Sequence, residues 1–163
     1  MTDVASPLAA VPPLSPHLVC ADAAKAIDFY VAAFGAQAID VMRGPDGRIM
    51  HAGLAINGGG LLMLTDEAPQ WGALSPLSLK GTPVTLHLNV ADCDAVFARA
   101  VGAGATAVMP PADMFWGDRY AQVQDPSGHR WSIGQKLRDM TAAEREAAAK
   151  AFFAQAATCA ESS

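Results

Sequence analysis

Two histidines begin nearly identical segments of this chain of 163 residues. His17 opens the segment HLVCAD, and His87 opens the segment HLNVAD. Imidazole nitrogens bind divalent metals, exchange protons near neutral pH and hydrogen-bond to polar ligands. A histidine at the same place in two similar segments predicts two copies of one folding unit that share a pocket.

Each histidine starts a similar run of predicted elements. PHLVC is predicted as a strand, Asp22 caps an amphipathic helix that ends at Gly35, and three further strands follow. In the second copy VTLHLNV is a strand, Asp92 caps a helix, and three more strands follow, the last being HRWSIGQ. Both copies therefore have the order β-α-β-β-β, which predicts an α+β fold.

The same patterns predict the division of the chain. Thr141 and Glu144 form a capping box before an alanine-rich helix near the C-terminus. We expect a single domain at 14–136, made of module one at 14–66, a linker loop at 67–82 and module two at 83–136. A flexible leader at 1–13 precedes the domain. A C-terminal helix at 137–158 and a tail at 159–163 follow it.

Alternation along strands assigns the candidate site to one face of the sheet. In the strand VTLHLNV the apolar residues from Val84 to Val90 are expected to face the helices, which leaves His87 and Asn89 on the opposite face. In the third strand, burial of Met50 leaves His51 on that face. A polar sheet face with several imidazoles is either exposed to solvent or a concave binding site, and the repeat favours the concave site.

Aromatic and charged residues near the second copy extend this site. Phe115, Trp116 and Tyr120 would form a wall for a planar ligand, with ordinary loop packing as the alternative. Arg119 would anchor an anionic group, with a structural ion pair as the alternative. His129 is expected at the surface. The candidate ligand-binding residues are His17, His51, Met63, His87, Asn89, Trp116, Arg119, Tyr120, Gln122 and Ser132.

Composition argues against several classes of protein. The net charge is −5, with 11 Lys and Arg against 16 Asp and Glu, which disfavours binding to nucleic acid. No apolar run approaches the length of a membrane span. The three cysteines lack CxxC spacing, so they are expected to be reduced thiols, and we expect a cytoplasmic protein with no membrane partner.

Two longer segments carry a resemblance to a known family. ADAAKAIDFYVAAFGA (21–36) and DMFWGDRYAQVQDPSGHRWSI (113–133) resemble the vicinal-oxygen-chelate superfamily of glyoxalases, bleomycin-resistance proteins and extradiol dioxygenases. The second segment is similar to the branch labelled PhnB-like, or demethylubiquinone-methyltransferase-like. The likeness covers residues 14–136. It implies a glyoxalase-like curled mixed sheet of two paired βαβββ modules around a pocket, and a homodimer.

The resemblance also implies metal-binding positions. Metal-using members take ligands from the first, fourth, fifth and last strands, and the corresponding residues here are His17, Met63, His87 and Ser132. His17 and His87 suit a divalent metal such as Zn, Ni, Mn or Fe. Ser132 stands where these enzymes typically place a glutamate, and Met63 replaces a harder ligand, so His51, Glu67 or a substrate would have to complete the shell.

Three classes of function follow from these observations. The first is a protein that binds or sequesters a small organic molecule in a polar, histidine-containing cup. The second is a metal-dependent lyase, isomerase or dioxygenase that uses His17 and His87 as ligands, and the third is an interaction protein without a site. The polar face argues against the third class, and Ser132 favours the first, because the missing glutamate would also serve as general base. No glycine-rich nucleotide loop supports methyltransferase chemistry.

Overall fold

A computed structural model describes residues 11–160 of the chain, with side chains described to residue 155. Most of the predicted leader and part of the predicted tail therefore lie outside the described residues. The first module contains β1 (His17–Cys20), α1 (Ala23–Phe34), β2 (Gln37–Arg43), β3 (Ile49–Ile56) and β4 (Gly60–Asp66). The second contains β5 (Thr85–Asn89), α3 (Cys93–Gly102), β6 (Thr106–Asp113), β7 (Asp118–Gln124) and β8 (Arg130–Lys136).

The segment between the modules is not simply a loop. It contains a short 3-10 helix (Pro69–Trp71) and a helical turn, α2 (Pro76–Leu79). Ser75 begins α2, and its Oγ accepts a hydrogen bond from the backbone N of Ser78. Ser and Pro at these two positions are typical of a helix N-terminus.

The strands form two four-stranded mixed sheets with the orders β1-β4-β3-β2 and β5-β8-β7-β6. The first strand of each module runs parallel to its last strand, and the other neighbours are antiparallel. The prediction of an α+β fold with two βαβββ modules and a C-terminal helix is confirmed. The two sheets are separate and do not close into a barrel.

The predicted helix caps are present. Asp22 and Asp92 each accept a backbone N–H from the residue three positions later, at 3.0 Å and 2.9 Å. The C-terminal helix, α4, spans Ala142–Ala160. It begins later than the predicted residue 137, because the capping box starts the helix after Thr141, whose Oγ1 accepts from the N–H of Glu144 at 3.2 Å.

One core joins the two modules. Tyr30 and Phe34 of α1 pack on Trp131 of β8, with ring centroids 5.4 Å and 5.0 Å apart. The side chains that face the helices in both sheets belong to this same buried cluster. The opposite, open face of each sheet therefore lies outside the shared core.

Three predictions about individual side chains are wrong. Val84 precedes β5 and is 59% exposed, and Met50 is 54% exposed. The register of the β2–β3 pair shifts beside Arg43, and Ile49 is buried where burial of Met50 was expected. His129 is half-buried rather than at the surface, because its Nε2 lies 3.0 Å from the carbonyl oxygen of Val19 in the other module.

None of the helices within residues 11–160 combines the length and apolarity that crossing a membrane would require.

Candidate functional site

The register of the two sheets pairs the four positions that the resemblance singles out. His17 of β1 lies opposite Met63 of β4, and His87 of β5 lies opposite Ser132 of β8. The two pairs occupy equivalent places in the two modules, because each joins the first strand of a module to its last. The candidate site thus consists of two half-sites, one on the open face of each sheet.

The second half-site is centred on an oriented imidazole. His87 Nδ1 lies 2.8 Å from Ser132 Oγ, and His87 Nε2 lies 3.3 Å from Asn89 Oδ1. The ring of His87 is exposed, whereas Ser132 is only 3% exposed. A buried hydroxyl therefore holds one ring nitrogen, and the other edge of the ring faces the polar open side.

An aromatic wall continues from this imidazole. Tyr120 of β7 stacks on His87, with ring centroids 6.2 Å apart and planes 16° apart. Gln122 Nε2 donates to Tyr120 Oη at 2.9 Å, which fixes the phenol. Trp116, in the turn that links β6 to β7, meets Tyr120 edge to face at 5.6 Å. The exposed ring of His87 and the half-buried rings of Tyr120 and Trp116 present a surface suited to a planar molecule.

The first half-site carries two imidazoles and a carboxylate. His17 and His51 meet edge to face with centroids 6.0 Å apart. Burial lowers the pKa of His17, and the neighbouring His51 lowers it further. His51 Nε2 lies 3.6 Å from Asp40 Oδ2. Protonation of His17 is therefore disfavoured by its surroundings.

Asp40 is a residue that sequence reasoning missed. The β2–β3 register shifts between Ala38 and Asp40, so simple alternation along β2 does not give the face of this side chain. The carboxylate covers Gly53, where a Cβ would lie 2.6 Å from Asp40 Oδ1. The available signal was a carboxylate within the apolar run AIDVM of β2, but only the register shift fixes the direction of its side chain.

Arg119 does not join the open face. Its guanidinium donates to Asp94 of α3 and to Asp113 of β6, at 2.8 Å and 2.7 Å. These two carboxylates raise the pKa of Arg119. The geometry is that of a structural ion pair, which was the alternative interpretation of this residue.

The donor atoms do not fit a metal centre within one chain. Glu67, which was considered as a further ligand, accepts the backbone N–H of Ser75 at 2.5 Å and so serves the segment between the modules. Within residues 11–155, no three His, Cys, Asp or Glu side chains are grouped as a metal site would require. His17 and His87 lie on different sheets, and the Ser132 hydroxyl is engaged by His87.

Two βαβββ modules with matched polar positions on their open faces define a glyoxalase-type α+β protein. Residues 11–133 match the model of the Glyoxalase/Bleomycin resistance protein/Dioxygenase superfamily, and the chain belongs to this superfamily. The resemblance drawn from the sequence is confirmed at this level.

Individual proteins resemble this chain in sequence or in fold. An uncharacterized protein of Mycobacterium bovis is 54% identical over 140 residues, which are 84% of this chain and 91% of the relative. The crystal structure of TioX from Micromonospora sp. ML1 has a TM-score of 0.61 at 28% identity and covers 77% of this chain and all (100%) of TioX. A PhnB protein from Bacillus cereus has a TM-score of 0.60 at 18% identity, covering 76% of this chain and 99% of its own, and shows the fold alone.

Proposed function

We propose that this protein binds a small organic molecule on its polar, histidine-containing open faces, as a sequestering or resistance-type binder would. The observation that carries the proposal is the pair formed by His87 and Ser132, at 2.8 Å. A neutral hydroxyl supports and orients the imidazole, but it supplies no carboxylate base for proton transfer of the glyoxalase type. Binding needs only the oriented polar groups that are present.

The neighbouring rings favour a ligand with a planar part. Tyr120 and Trp116 lie at right angles to each other beside His87, so a flat molecule would contact one ring face and one ring edge. The Gln122 amide and the Asn89 amide offer hydrogen bonds at the rim of this surface. Aromatic side chains with a few placed polar groups are the usual lining of small-molecule sites.

A homodimer is part of the proposal, because one chain supplies only separate half-sites. The two open faces belong to separate sheets, and both lie outside the shared core. A second copy that brings the His17 face of one chain over the His87 face of the other would complete two equivalent cups. The exposed, alanine-rich α4 offers additional contact surface.

Two further assignments belong to the proposal. The segment DPSGHRWSI supports the PhnB-like branch of the superfamily. The buried, unpaired thiols of Cys20 and Cys93 support a reducing, cytoplasmic location.

The competing function is a metal-dependent lyase, isomerase or dioxygenase. It is favoured by the equivalent register of His17 and His87, which a homodimer of the kind described above would place in one cup. Such an enzyme would need a third ligand from the substrate or from His51.

Metal content separates the two functions. The untagged protein is purified beside the H17A/H87A double variant, and both are analysed for Zn, Ni, Mn and Fe before and after exposure to each metal. The binding function predicts substoichiometric metal in both proteins. Near-stoichiometric metal in the native protein that is lost in the double variant would overturn the proposal in favour of the metalloenzyme.

A further inference from the structure

A cavity adjoins the candidate site at the ends of β5 and β8. Its volume is about 310 Å³, and it shares Asn89 and Trp116 with the open face of the second module. The opposite wall comes from the segment between β8 and α4 and from the first turns of α4. The remaining lining residues are Asp118, Gly134, Lys136, Arg138, Asp139, Met140 and Arg145.

Cationic side chains are concentrated at this cavity. Although the chain has a net charge of −5 and only 11 Lys and Arg, three of these residues line it. Lys136 is paired with Asp139, so those two charges offset each other. Arg138 and Arg145 face the space together with the carboxylate of Asp118, and both guanidinium groups also interact electrostatically with Glu144 at the start of α4.

The nearby carboxylate of Glu144 does not line the cavity. Its oxygen accepts hydrogen bonds from the backbone N and the hydroxyl of Thr141, at 2.6 Å and 2.8 Å, at the start of α4. Arg145 Nη1 donates to the Met140 carbonyl oxygen at 2.6 Å, which holds the guanidinium at the cavity and leaves its other N–H donors for a ligand.

The two walls are fastened to each other. The carbonyl oxygen of Gly117 accepts the N–H groups of Leu137 and Arg138 at 3.0 Å and 3.2 Å. Gly117 has a φ of +97°, and a Cβ there would lie 3.0 Å from Met140 Sδ. The turn that carries Trp116 and the segment that carries Arg138 are therefore in close contact, so the cavity exists before any ligand binds.

Aromatic contacts also anchor α4 beside this turn. Phe115 meets Phe152 and Phe153 with ring centroids 5.1 Å and 6.2 Å apart. The three cations all follow residue 133, where the match to the superfamily model ends. Lys136 is the last residue of β8, whereas Arg138 and Arg145 belong to the C-terminal segment that follows the two modules.

We propose that this cavity binds an anionic group, a carboxylate or a phosphate, on a small molecule. The inference rests on the proposed function, since the planar part of the same molecule would contact Trp116 and Tyr120. Guanidinium groups bind planar carboxylates and phosphates through two parallel hydrogen bonds, which suits Arg138 and Arg145. The ligand class is therefore an aromatic or otherwise planar acid.

The test uses four probes on the ¹⁵N-labelled full chain followed by NMR. Benzoate and phenyl phosphate carry a ring with the two anion types, benzyl alcohol is the neutral counterpart, and inorganic phosphate lacks the ring. We expect both aromatic anions to shift the amides of Gly117 and Arg138 and the indole N–H of Trp116. They should bind at least about tenfold more tightly than benzyl alcohol, as expected for charge-assisted hydrogen bonds.

Matched variants test the assignment to the cavity. R138Q/R145Q should weaken binding of both anions about tenfold. R43Q/K150Q removes the same charge elsewhere and should leave binding within about twofold. Anions that bind no more tightly than benzyl alcohol, or equal losses in the two double variants, would overturn the inference.

The H87A variant separates this inference from the proposed function. If the anions shift the cavity residues but H87A leaves every probe unaffected, the anion site stands and the open-face binding function fails. If benzyl alcohol binds in a His87-dependent way while the anions gain nothing, the binding function stands and the anion site fails.

Discussion

Gly134 lies directly against the imidazole of His87. A Cβ at residue 134 would lie 2.8 Å from His87 Cε1 and 3.0 Å from His87 Nε2, closer than side chains approach one another. Because Gly134 has no side chain, the ring of His87 can approach Ser132. The position of the imidazole depends on this glycine as well as on its hydrogen bond.

Substitution of Gly134 by alanine is expected to displace His87 while the fold is retained. The atoms that a Cβ would meet belong to the far end of an exposed side chain, which can rotate away at little cost. The ring would then lose its contact with Ser132 Oγ. ¹⁵N–¹H spectra of the His87 ring nitrogens should change, and binding of benzyl alcohol or benzoate should weaken.

Gly59→Ala provides the control for this change, because a Cβ at residue 59 meets nothing within 4 Å. Both variants should melt cooperatively. Unchanged ring signals of His87 in the Gly134→Ala protein would contradict the steric role of this glycine.

The titration of His17 should depend on His51. Burial is the larger cause of the lowered pKa of His17, and the charge of His51 is the second. In the H51Q variant the second cause is removed, so the pKa of His17 should rise but stay below its ordinary value of 6.5. NMR titration of the His17 ring protons measures this, and an unchanged pKa would contradict the coupling.

The lowered pKa of His17 also determines how the stability of the protein changes with pH. A lowered pKa in the folded protein means that the unfolded chain binds the proton more readily. The contribution of neutral His17 to the free energy of unfolding is therefore complete above pH 6.5. It is lost as the pH falls through the lowered pKa of this residue. Urea denaturation between pH 7 and pH 5 should show a shallower loss of stability in the H17Q variant than in the native protein.

Local sequence patterns, such as strand alternation and helix caps, predict most of the fold and part of the candidate site. The register of β5 and β8 agrees with alternation, since Ser132 lies opposite His87 and Trp131 faces the core. The caps at Asp22 and Asp92 are local signals and were predictable for that reason. Whether these site residues bind a ligand stays a prediction.

Other parts depend on long-range contacts that one strand cannot reveal. The ion pair of Arg119 with Asp94 joins β7 to a helix distant in sequence, and the bulge in β2 turns Asp40 toward His51. The cationic cavity forms only because the segment after β8 folds back onto Gly117. Alternation describes one strand at a time, so it predicts none of these contacts.

The thiol of Cys20 is expected to be unreactive in the folded protein. Burial is the main cause that raises its pKa to about 12, and the carboxylates of Asp125 and Asp66 add to the shift. The thiolate is the reactive form, so alkylation at pH 8 should be negligible before unfolding and complete after it. Peptide mass spectrometry with iodoacetamide measures this, and modification of native Cys20 would contradict its burial.

Tyr30 Oη donates a hydrogen bond to Asp125 Oδ2 and so joins the first module to the second. Removing this bond is the strongest test of the contact between the modules. This bond is 2.6 Å long, both residues are buried, and Trp131 Nε1 donates to the same oxygen at 2.9 Å. Tyr30→Phe removes one donor from a buried carboxylate and should lower the free energy of unfolding by about 1–3 kcal/mol. Tyr120→Phe is the matched control, because its Oη accepts from Gln122 on the open face, where water can replace it. Urea denaturation should show the larger loss for Tyr30→Phe, and equal losses would mean that the buried bond does not stabilise the contact between the modules.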